Sequence, residues 1–226
     1  LLGKGEHEIT SSWADPETRA DPEDNEDEEL EYATMFGITR SNITFLGKGI
    51  DTTTIFGGFG IENIENITFK QMTVTNTSEY YGNGIKTMSN AKVELMDVAL
   101  KGCSDAGLRI IDSFYNSTFA LLLATRCEFA NNSGYGVLVH GSLTSATFKN
   151  CVFNDNSQDG ILVSNNATIH LHGEATAIHS NGGYGIYASD SGKVIIHLPS
   201  HHNTSYNNGE GDRQTGYGGT ITNVED

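Results

Sequence analysis

From about residue 61 onward, polar turns alternate with short runs in which every second position is apolar, and a Gly followed by an aliphatic residue opens each set. The junctions are Gly60-Ile61, Gly84-Ile85, Gly107-Leu108, Gly136-Val137, Gly160-Ile161 and Gly185-Ile186, spaced 24, 23, 29, 24 and 25 residues apart. Within one interval three such runs follow one another, as in Ile161 to Val163, Thr168 to Leu171 and Thr176 to Ile178. Alternation over so few residues signals short strands and not helices. A fixed period of this length means units that cannot bury a core alone and must stack. The pattern predicts an all-β fold, a single-stranded parallel β-helix of about seven coils with three short strands per coil.

Alternation also sorts side chains into inward and outward sets. In the first strand of successive coils the inward pairs are Ile85/Thr87, Leu108/Ile110, Val137/Val139, Ile161/Val163 and Ile186/Ala188. Lys86, Arg109, Leu138, Leu162 and Tyr187 are left as an outward row. In the third strand Cys127/Phe129 and Cys151/Phe153 face inward, so those thiols are expected to serve as small core hydrophobes. Cys103 falls out of phase with them. Asn recurs after the third strand at Asn76, Asn131/Asn132, Asn154/Asn156 and Asn181, where a turn needs left-handed φ and amides can bond along the stack.

A continuous repeat argues for one domain over 1–226. Residues 1–37 are expected to form the first coil and cap with an acidic insertion at 15–31, residues 38–198 the regular coils, and 199–226 an irregular C-terminal cap. The chain opens at Leu1 in a phrase that reads like the middle of a strand and turn, so a fragment or processed form is expected. No apolar run approaches the length of a membrane span, so no membrane insertion is expected. The net charge of −16 argues against nucleic acid as a partner. The stretch Asp15 to Glu31 lacks the spacing of an EF-hand loop and reads as a solvated insertion with, at most, weak Ca²⁺ attraction. No resident cofactor is expected. Seven Asn-x-Ser/Thr sequons, at Asn42, Asn66, Asn76, Asn116, Asn131, Asn166 and Asn203, lean slightly toward an extracellular or cell-surface setting.

The text from Ile43 to Gly58, and the following Ile-Glu-Asn-Ile-Thr-Phe-Lys-Gln-Met-Thr-Val-Thr-Asn from Ile64 to Asn76, resemble early coils of pectin-lyase-like right-handed β-helix proteins. The junctions Gly134-Tyr135-Gly136-Val137 and Gly183-Tyr184-Gly185-Ile186 resemble the parallel β-helix repeats of polysaccharide lyases, mannuronan epimerases and the non-catalytic β-helix of some F-box proteins. Leu1 to Ile9 and the Asn-Asn-Gly-rich tail resemble β-helix proteins of algae and related microbial eukaryotes. Right-handedness is implied by this resemblance alone, which supports fold much more than activity.

Enzymes of the superfamily place carboxylates and an Arg or Lys in a groove along one lateral sheet, and lyase chemistry needs a cation at the uronate carboxylate and a base beside it. The candidates that match are Asp105, Arg109 and Asp112, with Lys86 next to Arg109 in the outward row. Read structurally, Asp105 belongs to a turn, and Lys86 and Arg109 are solvated charges. A second constellation is histidine-rich. His170 and His172 face outward on one strand and His197 on the next coil beside His172, an arrangement able to share Zn²⁺ or Cu²⁺, although no carboxylate is placed to orient the rings. Leu138, Leu162 and Tyr187 form an apolar strip suited to a sugar ring or a partner chain.

Three function classes follow. A non-catalytic scaffold or recognition module, binding an extended glycan or a protein along a lateral sheet, leads. A polysaccharide lyase or epimerase comes second. A structural or assembly protein of a virion or cell surface, joined end to end or laterally, comes third.

Overall fold

The computed structural model describes residues 2–10, 34–79, 81–112, 119–198, 202 and 204–224. Among these residues there are strands and no helix, and every strand pair is parallel. None of them forms a helix long and apolar enough to cross a membrane. The strands stack in three ladders, and each regular coil contributes to all three.

The first ladder is a sheet of eight strands, running through Met35–Ile38, Gly58–Ile61, Ile85–Thr87, Leu108–Ile111, Val137–His140, Ile161–Ser164, Tyr184–Ala188 and Gly211–Thr215. The second ladder includes Ile43–Leu46, Ala120–Thr125, Thr144–Lys149, Thr168–His172, Lys193–His197 and Thr220–Asn223. The third includes Gly5–Glu8, Thr53–Phe56, Glu128–Ala130, Val152–Asn154, Ala177–His179 and Ser205–Tyr206. In two early coils the second and third strands are fused into one, Ile67–Thr75 and Lys92–Lys101, which serve both ladders. Each bends at a single left-handed residue, Gln71 (φ 56°) or Asp97 (φ 53°). A one-residue corner leaves no gap in the pairing, so the expected pair of short strands becomes a single bent one.

The tail expected to be irregular carries strands of all three ladders. Ile221 lies in register with Val194 and packs against the core cluster. The alternation that places it spans only Thr220-Ile221-Thr222, too short to read as a strand from pattern alone.

The core is a column. Each inward residue of the first ladder from Ile85 to Ala188 is buried, as are Cys127, Phe129, Cys151 and Phe153. Phe129 and Phe153 stack at 5.0 Å between centroids, and Phe148 meets Phe153 edge-on at 5.2 Å. Each such buried ring contributes about 1.5–3 kcal/mol by area. Burial pushes the Cys103 thiol up to about 12, with the Asp105 charge adding to the same effect, so it is unreactive at neutral pH.

The Asn positions divide into two columns. Asn131, Asp155, Ser180 and Asn207 have positive φ and make the exposed corner. The residues that follow them, Asn132, Asn156, Asn181 and Asn208, turn inward and bond amide to amide along the rod, with Nδ2 donating to the next Oδ1 at 2.9, 2.9 and 2.8 Å. Asn208 extends the ladder one coil beyond the sequence-based set.

Candidate functional site

The register confirms the outward row of the first ladder. Lys86, Arg109, Leu138, Leu162 and Tyr187 are successive cross-strand neighbours, about 4.8 Å apart. Leu138, Leu162 and Tyr187 are each half-buried, and the Tyr184 and Tyr187 rings lie 5.6 Å apart at 50°. The row is not uniformly solvated, however. Lys86 is only 2% exposed, which corrects its reading as a surface charge. Strand alternation sets the direction of a side chain and says nothing of what packs over it.

The proposed acid–base patch is brought together only in part. Arg109 Nη1 lies 3.4 Å from Asp105 Oδ2, so the two form an ion pair at the start of the strand Leu108–Ile111. Asp112 leaves from the other end of that strand. Its carboxylate accepts the backbone N–H of Ser142 at 3.1 Å and lies against Gly141, whose φ is 116°. Asp112 therefore holds a turn of the next coil and does not join Arg109.

Two groups that sequence reasoning missed lie along this corner: Tyr135, close to Arg109 and Asp105, and Asp159, close to Tyr135 from the following coil. Tyr135 and Asp159 occupy the position before the repeat Gly in consecutive coils, where Gly107 N–H donates to Tyr135 O and Gly136 N–H to Asp159 O. Burial raises the Tyr135 phenol, the Asp159 and Asp105 carboxylates raise it further, and Arg109 opposes them. Asp159 is itself held up to about 6 by burial, with a smaller push from Glu210 and an opposing hydrogen bond from Tyr184 N–H at 2.6 Å. Ser157, Gln158, Asp159, Gly182, Gly183 and Glu210 line an open cavity of about 260 Å³ at this corner. The signal available in the sequence was the Tyr or Asp one residue before the last three repeat glycines, Gly136, Gly160 and Gly185.

The histidines lie on the outward face of the second ladder. His172 pairs in register with His197, and their rings stack at 4.0 Å. His170 Nδ1 lies 3.0 Å from His197 Nε2. One ligand nitrogen from each of the three falls within 4.8 Å of the others, and all three are half-buried. Burial and then the neighbouring His197 hold the His170 imidazole below its usual value. His202 is engaged elsewhere, its ring nitrogens facing Thr204 Oγ1 and the backbone oxygen of Glu174.

The same face carries an apolar patch that alternation within Ala120–Thr125 implies but that was not singled out. Leu121 and Leu123 point outward and are exposed, beside a cavity of about 390 Å³ that Lys92, Glu94 and Thr147 also line. The acidic stretch 15–31, with its expected Ca²⁺ attraction, lies outside the described residues.

The family model for the right handed beta helix region matches residues 37–176. Among curated proteins, none matches the sequence. Among solved structures, the A-module of the Azotobacter vinelandii mannuronan C-5 epimerase AlgE4 is similar over all of this chain and 90% of its own, with 13% identity and a TM-score of 0.37. The A-module of AlgE6 from the same organism gives the same coverage with 11% identity and a TM-score of 0.41. ORF18 of Geobacillus virus E2 is similar over 84% of this chain and 52% of its own, with 11% identity and a TM-score of 0.30.

Proposed function

Because the chain belongs to the right-handed β-helix family, whose fold offers a long lateral face and no activity of its own, we propose that it is a non-catalytic recognition module. It holds an extended neutral glycan along the outward row of the first ladder, from Arg109 across Leu138 and Leu162 to Tyr187.

The observation that carries this reading is the unbroken register of that row. One aliphatic or aromatic surface per coil repeats at about 4.8 Å, which suits a chain of rings that each present an apolar face. Tyr184 widens the aromatic end. Beside it Gln158, Asp159 and Glu210 line an open polar cavity and supply acceptors for sugar hydroxyls.

Charge favours a neutral chain over a polyuronate. The protein carries −16, Arg109 is already paired with Asp105, and Lys86 is buried. The alternative, a lyase or epimerase of acidic polysaccharide, needs a base next to Arg109. Asp112 is engaged at a turn, and burial together with nearby carboxylates disfavours the phenolate of Tyr135 that would have to act as base.

A glycan array run beside a uronate-release assay on pectate and alginate, with Ca²⁺ present, separates the two. Binding to neutral chains without unsaturated product is expected. Product formation that is lost in Arg109→Ala would replace this reading with the enzymatic one.

A further inference from the structure

We infer that His170, His172 and His197 form a binding site for a borderline divalent transition-metal cation, Zn²⁺ or Cu²⁺, on the second ladder, separate from the glycan row.

The fold brings these three imidazoles together by two independent rules. His170 and His172 are two residues apart on the strand Thr168–His172, so both point to the same side of the sheet. His197 is fixed opposite His172 by the parallel register of the next coil. A three-imidazole set with an open side is the donor arrangement that Zn²⁺ takes when a fourth position is left for water. Imidazole also suits Cu²⁺, the strongest binder in the divalent series. The hard cations Ca²⁺ and Mg²⁺ call for oxygen donors instead.

The distances are close to what a metal needs. With metal–nitrogen bonds of about 2.0–2.1 Å, ligand nitrogens around a tetrahedral ion sit about 3.4 Å apart. His170 Nδ1 and His197 Nε2 are 3.0 Å apart, and the whole set of ligand atoms lies within 4.8 Å. The His172 and His197 rings are stacked in nearly parallel planes, 11° apart, so one of them must turn for both to direct a lone pair at the same ion.

One neighbour opposes the site. Lys149 is the register partner of His172 on the coil before, and it is exposed. Its ammonium repels a bound cation, and this makes the proposal specific: removing that charge strengthens binding, while removing any of the three imidazoles weakens it.

The test is isothermal titration of the chain, prepared without a His tag, with ZnCl₂ and separately with CuCl₂ at neutral pH, and with CaCl₂ as the hard-cation arm. His170→Ala, His172→Ala, His197→Ala, the triple variant, Lys149→Gln and His179→Ala are titrated alongside, each checked for fold by far-UV circular dichroism. One equivalent of Zn²⁺ or Cu²⁺ is expected, weakened at least about tenfold by each single loss of a ligand, abolished in the triple variant and tightened in Lys149→Gln. His179→Ala removes a surface imidazole stacked on Tyr206 and is expected to change nothing. Absence of binding, binding that survives in a folded triple variant, or equal loss in His179→Ala overturns the assignment.

Discussion

Gly136 has no side chain where Asn156 places its amide. A Cβ on Gly136 would stand 2.8 Å from Asn156 Nδ2 and 2.6 Å from the backbone oxygen of Gly160. The same clash faces Gly107 against Asn132 and Gly160 against Asn181. The glycine beat along the chain is thus the imprint of the asparagine ladder. Each coil leaves out a methyl group so that the next can bond its amide inside the rod.

Gly136→Ala is therefore expected to cost about 1–3 kcal/mol through overpacking, read as a lower denaturation midpoint in urea. Gly3, whose added Cβ would meet nothing within 4 Å, is the control, and Gly3→Ala is expected to leave the midpoint unchanged. Equal effects at the two positions would contradict the packing argument.

Cys103 stands in the ladder where the other coils have Asn. Its backbone N–H donates to Asn132 Oδ1 at 3.0 Å, as Asn132 N–H does to Asn156 Oδ1, and Ser104 N–H reaches back to Asn76 O. The thiol cannot supply the amide donor. Cys103→Asn is expected to complete the column from Asn76 to Asn208 and raise stability by roughly 1 kcal/mol. A loss of stability in thermal denaturation would mean that this coil is too narrow for the amide.

The burial of Asp159 predicts a pH effect with a definite sign. Its carboxyl is raised from about 3.8 to about 6 in the folded chain. Between those values the folded state binds more protons than the unfolded one, so this group's contribution to stability falls as pH rises. Asp159→Asn keeps an oxygen to accept the Tyr184 N–H and removes the charge. It is expected to raise the melting temperature at pH 7.5 and leave it nearly unchanged at pH 4. An equal shift at both values would rule out charge burial as the cause.

The sequons are not equivalent. Asn76 is 1% exposed, and its Nδ2 donates to Thr34 O at 3.2 Å and Asn83 O at 3.0 Å, whereas Asn131 and Asn166 are exposed at left-handed corners. Expression through a eukaryotic secretory route, followed by peptide mass spectrometry, is expected to find glycan at Asn131 or Asn166 and none at Asn76. Modification of Asn76 in folded protein would contradict the ladder.

Much of this fold was legible because a parallel stack repeats one rule. The Gly junctions set the phase, alternation set inward and outward, and together they placed Ile161 above Val137 and His197 beside His172. What escaped were features set by a neighbouring coil and not by local pattern. Asp112 looked like a partner for Arg109, only three residues away, but its carboxylate is taken by Ser142, thirty residues on. Tyr135 and Asp159 carried no local sign of a site, and only stacking brings Tyr135 close to Arg109 and Asp159 close to Tyr135. The phase shift of Cys103 was visible, but its meaning was not, since an inward Asn column is not implied by alternation.

The central functional claim is that the row ending at Tyr187 binds a neutral extended glycan. Isothermal titration of cellohexaose, xylohexaose and mannohexaose into the chain and into Tyr187→Ala tests it most directly. At least one oligosaccharide is expected to bind, with affinity reduced about tenfold or more in the variant, as for the loss of a buried aromatic contact. Binding that is indifferent to Tyr187→Ala, or no binding by any of the three, would contradict it.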